Sequence, residues 1–222
     1  MSELIINRKR GGVNELKHYI AEGEHDRQDF KFRIDDQKKI ARTLAAFANT
    51  RGGRLLIGVK DNGKIVGINP EEEYHMIQGA ADLFVKPPLK FESRIWQEGF
   101  RLVLEISVEA DEERPYQAKD ELGKWRSYLR FEDHTLLANK IVRKVWGFQR
   151  KGIDRPQSFG EEESRMLEIM EQRDSWTLSQ LYRHSGMSQK QVDHFLSILV
   201  YWDVVEMKMN SEGSSYRLKE TQ

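Results

Sequence analysis

The stretch AFANTRGGRLLIGVKDNG, residues 46–63, restricts the fold of this chain more than any other. It joins an apolar stripe that includes Leu44 and Phe47 to the pair Gly52-Gly53, and then to the continuous apolar run LLIGV. The spacing of the stripe predicts an amphipathic helix, and the unbroken apolar run predicts a strand buried on both faces. A chain with this segment is expected to pack a helix against a sheet.

The two glycines between the helix and the strand pose a choice between a phosphate-binding loop and a turn. A Walker loop has a strand before its glycines, a helix after them, and a Lys-Ser or Lys-Thr pair that reaches the phosphates and magnesium. Here the order is reversed, and Arg54-Leu55 stands in place of that pair. We therefore interpret Gly52-Gly53 as a left-handed helix C-cap followed by a close backbone approach, and we expect no ATP or dinucleotide binding there.

Neighbouring segments predict further elements. Asp35 is a candidate N-cap for the helix before the glycines, and Asn62-Gly63 predicts a two-residue hairpin that joins LLIGV to a second strand, IVGI. Alternation in DRQDFKFRI predicts a half-buried strand. Its buried face should hold Phe30, Phe32 and Ile34, and its solvent face Asp29, Lys31 and Arg33.

The remaining pattern divides the chain into two domains. A helix near residues 70–84, two long strands, a hairpin through Leu122-Gly123 and a helix over HTLLANKIVRKVWGFQRKG complete an α+β domain with a mostly antiparallel sheet and packed helices. Three helices and a hairpin then predict a small winged helix-turn-helix domain. The predicted ranges are a tail at 1–12, the α+β domain at 13–150, a linker at 151–160 and the winged helix at 161–222.

Composition excludes several classes of function. The chain has 36 basic and 36 acidic residues, so it has no strong net field to attract a polyanion. Residues 1–60 contain 13 Lys and Arg against 8 Asp and Glu, whereas residues 158–222 contain 7 against 11. No cysteine is present, which rules out disulfides, a thiolate zinc site and a cysteine nucleophile. With no predicted signal peptide or membrane span, we expect a soluble, cytoplasmic protein without a membrane partner.

The central segment resembles a known family. AFANTRGGRLLIGVKDNGKIVGI, preceded by GEHDRQDFKFRI, resembles the core of the Schlafen-type AlbA-like domain, and RPYQAKDELGKWRSYLR is similar to its closing hairpin. The likeness spans roughly residues 13–145. It implies an AlbA-like fold and a DNA- or RNA-binding, transcriptional-regulator-like function. Such proteins are also labelled ATP-binding through a likeness to divergent AAA proteins, which the reversed order at the glycines argues against.

The resemblance also implies a second class of function, because some members are metal-dependent RNA nucleases with three acidic residues. The matching positions here are Glu24, Asp29 and Asp61, with Asp29 standing where the family more usually has Glu, and with Lys31 as a basic neighbour. Carboxylate oxygens suit Mg²⁺ or Mn²⁺, which would be needed only for a nuclease. His25 is a candidate metal neighbour or proton shuttle. The alternative is that all three carboxylates are ordinary surface or turn residues.

Nucleic-acid binding is the favoured function, and it requires no cofactor. Cations that lie off the apolar faces could neutralise phosphates and give salt-sensitive binding. These residues are Lys31, Arg33, Lys38, Lys39, Arg42, Arg51 and Arg54. The partner would be DNA or RNA, and the proposal depends on these side chains sharing one solvent-facing surface.

The predicted winged helix has a weaker set of candidates. Its third helix presents Gln189 and Lys190 near the N-terminus, and Gln189 could contact a base edge. Because this domain is acidic, docking to a protein or formation of a homodimer is an equal alternative, and a protein-interaction adaptor is the third predicted function.

Overall fold

The computed structural model describes residues 13–112, 114–210 and 212–219, and it divides into two compact units, Met1–Leu137 and Ala138–Gln222. The division precedes the helix that the sequence assigns to the first domain. That helix belongs to the second unit because Ile141 on it is part of the second unit's core. Within the described ranges, no helix combines the length and apolar content required to cross a bilayer.

The first unit contains three helices and eight strands among its described residues. The helices are α1 (Val13–Glu22), α2 (Gln37–Asn49) and α3 (Pro70–Phe84). The strands are β1 (Gln28–Lys31), β2 (Gly53–Ile57), β3 (Val85–Lys86), β4 (Glu92–Glu98), β5 (Arg101–Val108), β6 (Gln117–Lys119), β7 (Trp125–Phe131) and β8 (His134–Leu137). They form two four-stranded sheets, β1-β2-β5-β4 and β3-β6-β7-β8.

The predicted α+β class with a mostly antiparallel sheet is confirmed, with one parallel exception. Strand β1 runs parallel to β2, and Asp29 lies opposite Leu55. The helix α2 connects these two strands, as a parallel pair requires. All other described strand pairs in this unit are antiparallel. The carboxyl ends of β1 and β2 therefore lie side by side.

Helix α2 is the centre of the main core. Its residues from Ile40 to Asn49 are buried, apart from Arg42, and they pack with apolar residues of β2, β5, α3 and β7. The buried Asn49 side chain donates to the carbonyls of Tyr116 and Tyr128 at 2.8 Å and accepts from the Tyr116 N–H at 2.7 Å. These bonds satisfy the buried amide and fix α2 against the second sheet.

A second apolar cluster covers the other face of the first sheet. Phe30 of β1, Leu56 of β2 and Trp96 of β4 pack there with Leu16 of α1. Strand β2 is thus buried on both faces, as its continuous apolar run predicts.

Several sequence predictions about this unit are wrong. The N-cap of α2 is Asp36 instead of Asp35, because the Asp36 carboxylate accepts from the N–H groups of Lys38 and Lys39. IVGI is not a strand, because the chain turns at Gly58 with φ of 101°, and only an isolated bridge joins Val59 to Ile65. HTLL is the strand β8 instead of the start of a helix, because Asn139 accepts from the Val142 N–H and begins the helix there. The strand β1 ends at Lys31, so the predicted alternation does not extend to Phe32.

The second unit contains four helices and three strands among its described residues. The helices are α4 (Lys140–Lys151), α5 (Glu161–Glu171), α6 (Leu178–His184) and α7 (Gln189–Tyr201), and the strands are β9 (Trp176–Thr177), β10 (Val205–Asn210) and β11 (Gly213–Leu218). The strands form an antiparallel sheet in the order β10-β11-β9. Both α6 and α7 begin with a capping box, at Thr177 and Ser188.

Candidate nucleic-acid interface

The carboxyl ends of β1 and β2 place functional side chains at one edge of the first sheet. The N–H groups of Gly58 and Val59 donate to the carbonyl of Lys31 at 2.8 and 3.3 Å, so the chain leaves both strands together. We call the last residue of β1 and the residues beyond the two strands there the carboxyl edge: Lys31, Phe32, Arg33, Lys60 and Asp61. The ends of parallel strands are a frequent place for binding sites.

Phe32 is the centre of the carboxyl edge. Its ring is 49% exposed, in contrast to Phe30 two residues earlier, which is 1% exposed. The Arg33 Cζ lies 5.9 Å and the Lys60 Nζ 5.6 Å from the centre of the Phe32 ring. Within the described chain, neither cation forms an ion pair with a carboxylate. The edge thus combines an exposed aromatic face with two positive charges.

Asp29 is buried and paired, although the sequence predicts that it faces solvent. The Lys31 Nζ lies 2.7 Å from one carboxylate oxygen, and the Arg130 Nη2 lies 3.4 Å from the other. The Arg130 side chain is 2% exposed. It also donates to the His25 carbonyl and to the Thr135 hydroxyl at 3.2 and 3.1 Å. Two cations therefore neutralise the Asp29 charge, as a buried carboxylate requires.

Glu24 lies close to Asp29 and Asp61, as the family pattern implies. Its Oε1 accepts from the Phe30 N–H at 2.9 Å. Burial raises the pKa of the Glu24 carboxyl, and the negative charges of Asp29 and Asp61 raise that pKa further, against the opposing effects of the hydrogen bond and of Lys31. The charges of Asp29 and Asp61 therefore act, together with burial, against ionisation of Glu24.

The three carboxylates do not fit a preformed metal site. Among the described residues, no group of three His, Asp or Glu side chains is arranged to hold a metal ion. Asp29 already has Lys31 and Arg130 as partners, where a metal would need free oxygen ligands. The His25 ring lies near two other carboxylates, with its Nδ1 3.5 Å from Asp26 and its Nε2 3.7 Å from Glu22. We derive no metal-dependent step from this arrangement.

The glycines at the other end of β2 have the structural role that the sequence predicts. Gly52 has φ of 71°, and a Cβ there would lie 2.7 Å from the Val108 carbonyl oxygen. A Cβ on Gly53 would lie 2.3 Å from the ring of Phe47. The Gly52 N–H donates to the Phe47 carbonyl at 2.9 Å and closes the end of α2. The left-handed turn and the close approach are both confirmed.

The arginines beside these glycines are paired with carboxylates. Arg51 donates a hydrogen bond to Asp26, and the Arg54 Nη2 lies 3.6 Å from Glu22. The Arg54 guanidinium also lies 3.6 Å from the centre of the Tyr19 ring. We call Arg51, Gly52, Gly53 and Arg54, together with Glu22 and Asp26, the glycine corner. Its positive charges are largely balanced within the corner itself.

The predicted cations of α2 are divided. Arg42 lies 3.5 Å from Glu121. Burial raises the pKa of Tyr128, and the Arg42 guanidinium beside it opposes that rise. Lys38 and Lys39 are in the first turn of α2, and in the part of the chain that the structure describes their ammonium groups have no carboxylate partner. The structure therefore covers Lys31, Arg42, Arg51 and Arg54 with acidic partners and leaves Arg33, Lys38 and Lys39 uncovered.

The second unit exposes Gln189 and Lys190 in the first turn of α7. Asp193 on the same helix is buried, and it accepts from the Tyr182 hydroxyl and lies 3.1 Å from the Lys140 Nζ. Asp193 is therefore part of the unit's internal structure. Gln189 and Lys190, the two predicted candidates for contact, are both exposed.

Sequence reasoning missed Phe32, Lys60 and Arg130 as functional or supporting residues. Phe32 was assigned to the buried face because the alternation DFKFRI continues beyond the end of the strand. The burial of Arg130 could be predicted from its spacing, because it follows Tyr128 by two residues and lies on the same side of β7. A buried charge requires a partner of opposite charge. Lys60 follows LLIGV directly, at the same edge as Lys31.

Comparisons with known proteins bear on this site. A family model described as Schlafen, AlbA_2 matches residues 24–139. A search of curated proteins found no match. The solved N-terminal domain of a RecG-related protein from Nitrosomonas europaea has 25% identity and a TM-score of 0.43, and the match covers 55% of this chain and 88% of that one. The DIP2311 protein from Corynebacterium diphtheriae has 16% identity and a TM-score of 0.43, covering 91% of this chain and 38% of that one. The family match includes the whole carboxyl edge.

Proposed function

The chain belongs to the Schlafen, AlbA_2 family, and from that premise we propose that it binds nucleic acid through the carboxyl edge. One observation supports this most. Arg33 and Lys60 lie beside the exposed ring of Phe32, and neither is neutralised by a carboxylate among the described residues. The family resemblance implies DNA or RNA as the partner.

Phosphate binding suits these two cations better than the paired arginines of the glycine corner. An exposed ion pair contributes little to stability, yet its carboxylate repels an approaching phosphate and competes for the cation. Arg33 and Lys60 have no such competitor in the described residues, whereas Arg51 and Arg54 do. Burial raises the pKa of the Glu73 carboxyl, and Arg33 opposes that rise. The carboxyl edge therefore offers phosphates a small, locally positive surface.

The test is the affinity for labelled RNA and DNA oligonucleotides as a function of salt concentration. If two or three phosphates are neutralised, the logarithm of the affinity should fall with the logarithm of salt with a slope of about −1.4 to −2 for a single strand. Binding that is absent even at low ionic strength would show that the proposal is wrong. A slope near zero would also contradict it, because the contact would not be electrostatic.

The metal-dependent nuclease stays a prediction from the family resemblance. The neighbouring carboxylates of Glu24, Asp29 and Asp61 favour it, and the pairing of Asp29 with Lys31 and Arg130 disfavours it. Incubating RNA and DNA with Mn²⁺ and either the wild type or Asp29→Asn distinguishes a nuclease from a protein that only binds nucleic acid. Cleavage by the wild type alone would establish the nuclease, and equal inertness would leave binding as the function.

We propose that the second unit is a winged helix, with α5, α6 and α7 as its helices and the β10–β11 hairpin as its wing. Gln189 and Lys190 are its candidate contacts with DNA, while its acidic composition favours docking to a protein or to a second copy. If Gln189→Ala/Lys190→Ala binds DNA as the wild type does, the unit has no role in contacting DNA there. Sedimentation of the wild type tests the predicted homodimer.

A further inference from the structure

We infer that Phe32 is a stacking platform for an unpaired base, so that the preferred ligand is single-stranded nucleic acid. This inference rests on the proposed function and narrows its substrate class. It assigns the base contact to an aromatic side chain that is not part of the acidic triad implied by the family.

The position of Phe32 in the fold is not explained by core packing. Phe30 is 1% exposed and Ile34 is 8% exposed, but Phe32 between them is 49% exposed, because β1 ends at Lys31 and the chain leaves the sheet. Burying a Phe side chain is favourable by about 1.5–3 kcal/mol, and this ring forgoes much of that gain. A half-exposed aromatic ring is available to another planar group.

The two cations complete the platform. Arg33 Cζ and Lys60 Nζ lie 5.9 and 5.6 Å from the ring centre, near the outer limit of about 6 Å for a cation–π contact. Neither group is held tightly by the ring, so each can reach a phosphate while a base stacks on the ring. A nucleotide offers both parts together, a flat base and a phosphate a few bonds away.

An exposed ring flanked by two cations favours binding to single strands over binding to duplexes. In a duplex the base faces are already stacked on their neighbours, and only the phosphates remain for Arg33 and Lys60. In a single strand, loop or overhang the base face is free, and stacking on an aromatic side chain tolerates any sequence.

The other exposed aromatic residues differ from Phe32 in the cations around them. Trp125, which is 36% exposed, has one cation over its ring, the Lys119 Nζ at 5.1 Å, whereas Phe32 has two. Phe100 is 106% exposed in the turn between β4 and β5, and no cation of the described chain lies over its ring. Phe100 is therefore the control: an exposed phenylalanine in the same unit that is followed by Arg101 but has, among the described residues, no cation over its ring.

The experiment compares Phe32→Ala, Phe32→Trp and Phe100→Ala for binding to a labelled single-stranded RNA or DNA and to a blunt duplex of the same sequence. Phe32→Ala should weaken single-strand binding about tenfold, leave duplex binding unchanged and keep the wild-type melting temperature, since the ring is half exposed. Phe32→Trp should retain or tighten binding. Its added indole fluorescence, measured as a difference from the wild type, should be quenched when a base stacks on it. Phe100→Ala should bind as the wild type.

The outcomes separate this inference from the proposed function. If the wild type binds but Phe32→Ala binds single strands equally well, or if the tryptophan is not quenched, the stacking platform is wrong and the phosphate contact stands. Preference for the duplex would likewise overturn the platform. If the wild type binds neither ligand at low salt, both the platform and the proposed function are wrong.

Discussion

The basic side chains at the two ends of the parallel pair β1–β2 differ in whether a carboxylate is paired with them. At the amino end, in the glycine corner, Arg51 and Arg54 are each paired with a carboxylate. At the carboxyl edge, Arg33 and Lys60 flank an exposed aromatic ring and, among the described residues, have no carboxylate partner. The comparison shows that the availability of a basic side chain to a ligand depends on whether the fold places a carboxylate within ion-pair distance of it.

The separation of the two ends makes the comparison testable. Strand β2 spans five residues, from Gly53 to Ile57. At a rise of about 3.3 Å per residue, the two ends are roughly 13 Å apart. That distance exceeds the Debye length of about 8 Å at physiological salt, so a charge change at one end is largely screened at the other.

The largest expected effect concerns the buried pair that supports both ends. The Arg130 guanidinium pairs with Asp29 of β1. The Arg130 backbone N–H donates to the Thr50 hydroxyl, beside the glycine corner, at 2.9 Å. Arg130→Met should destabilise the protein by about 3–5 kcal/mol in denaturant unfolding, because it leaves a buried carboxylate with one partner fewer. Adding Asp29→Asn should restore part of this loss.

A matched control exists on the same strand. Arg126 pairs with Asp120 but is 45% exposed, so Arg126→Met should cost less than about 1 kcal/mol. Equal losses for the two methionine variants would contradict the assignment of Arg130 as a buried structural cation.

The second effect tests the structural role of the glycine corner. Gly52→Ala should destabilise by about 2–3 kcal/mol, since alanine disfavours the left-handed conformation and its Cβ would lie 2.7 Å from the Val108 oxygen. Gly123→Ala should cost only about 1 kcal/mol, because Gly123 has φ of 76° but open space around it. Thermal melts of both variants provide the measurement, and a Gly52→Ala protein as stable as Gly123→Ala would remove the close-approach argument.

The smallest effect concerns Glu73, whose carboxylate bonds to the backbone one residue after Arg33. Glu73 accepts from the Ile34 N–H at 2.8 Å, and burial raises its pKa in the folded state. The folded protein therefore binds the proton more tightly than the unfolded chain, so stability falls as pH rises from the ordinary glutamate pKa through the raised one. Glu73→Gln keeps a hydrogen-bond acceptor without the charge.

In Glu73→Gln, stability should no longer fall with pH over this range. The melting temperature at pH 7 should rise by only on the order of 1 °C, because solvent screens the partly exposed charge that the variant removes. Below about pH 4 the variant and the wild type should melt together. A wild-type profile that rises over this pH range would show that the sign is wrong.

The sequence predicts the helices and strands of the fold better than it predicts which charged residues form ion pairs. Hydrophobic periodicity predicts α2, the buried β2 and the glycine turn because these depend on neighbours close in sequence. The pairing of Asp29 with Arg130 joins residues 101 positions apart, and that of Arg42 with Glu121 is also distant in sequence. Local pattern cannot identify such pairs, which is why three of the predicted cations, Arg42, Arg51 and Arg54, prove to be paired with carboxylates distant in sequence.

The site was predicted in part for the same reason. The parallel order of β1 and β2 brings Lys31 and Lys60 to one edge, which follows only when the two strands are known to be neighbours. Phe32 was placed inside because alternation has no signal for where a strand ends. The family pattern located Glu24, Asp29 and Asp61 near one another but could not show that Lys31 and Arg130 contact Asp29.

The most direct measurement compares two double variants that remove the same charge. Arg33→Gln/Lys60→Gln alters the carboxyl edge, and Arg51→Gln/Arg54→Gln alters the glycine corner. We expect the edge variant to lose about tenfold or more in affinity for single-stranded RNA or DNA at physiological salt and to lower the salt slope by about 1.4, while the corner variant stays within about twofold of the wild type. Equal losses, or a larger loss for the corner variant, would contradict the claim that the uncovered cations form the binding surface.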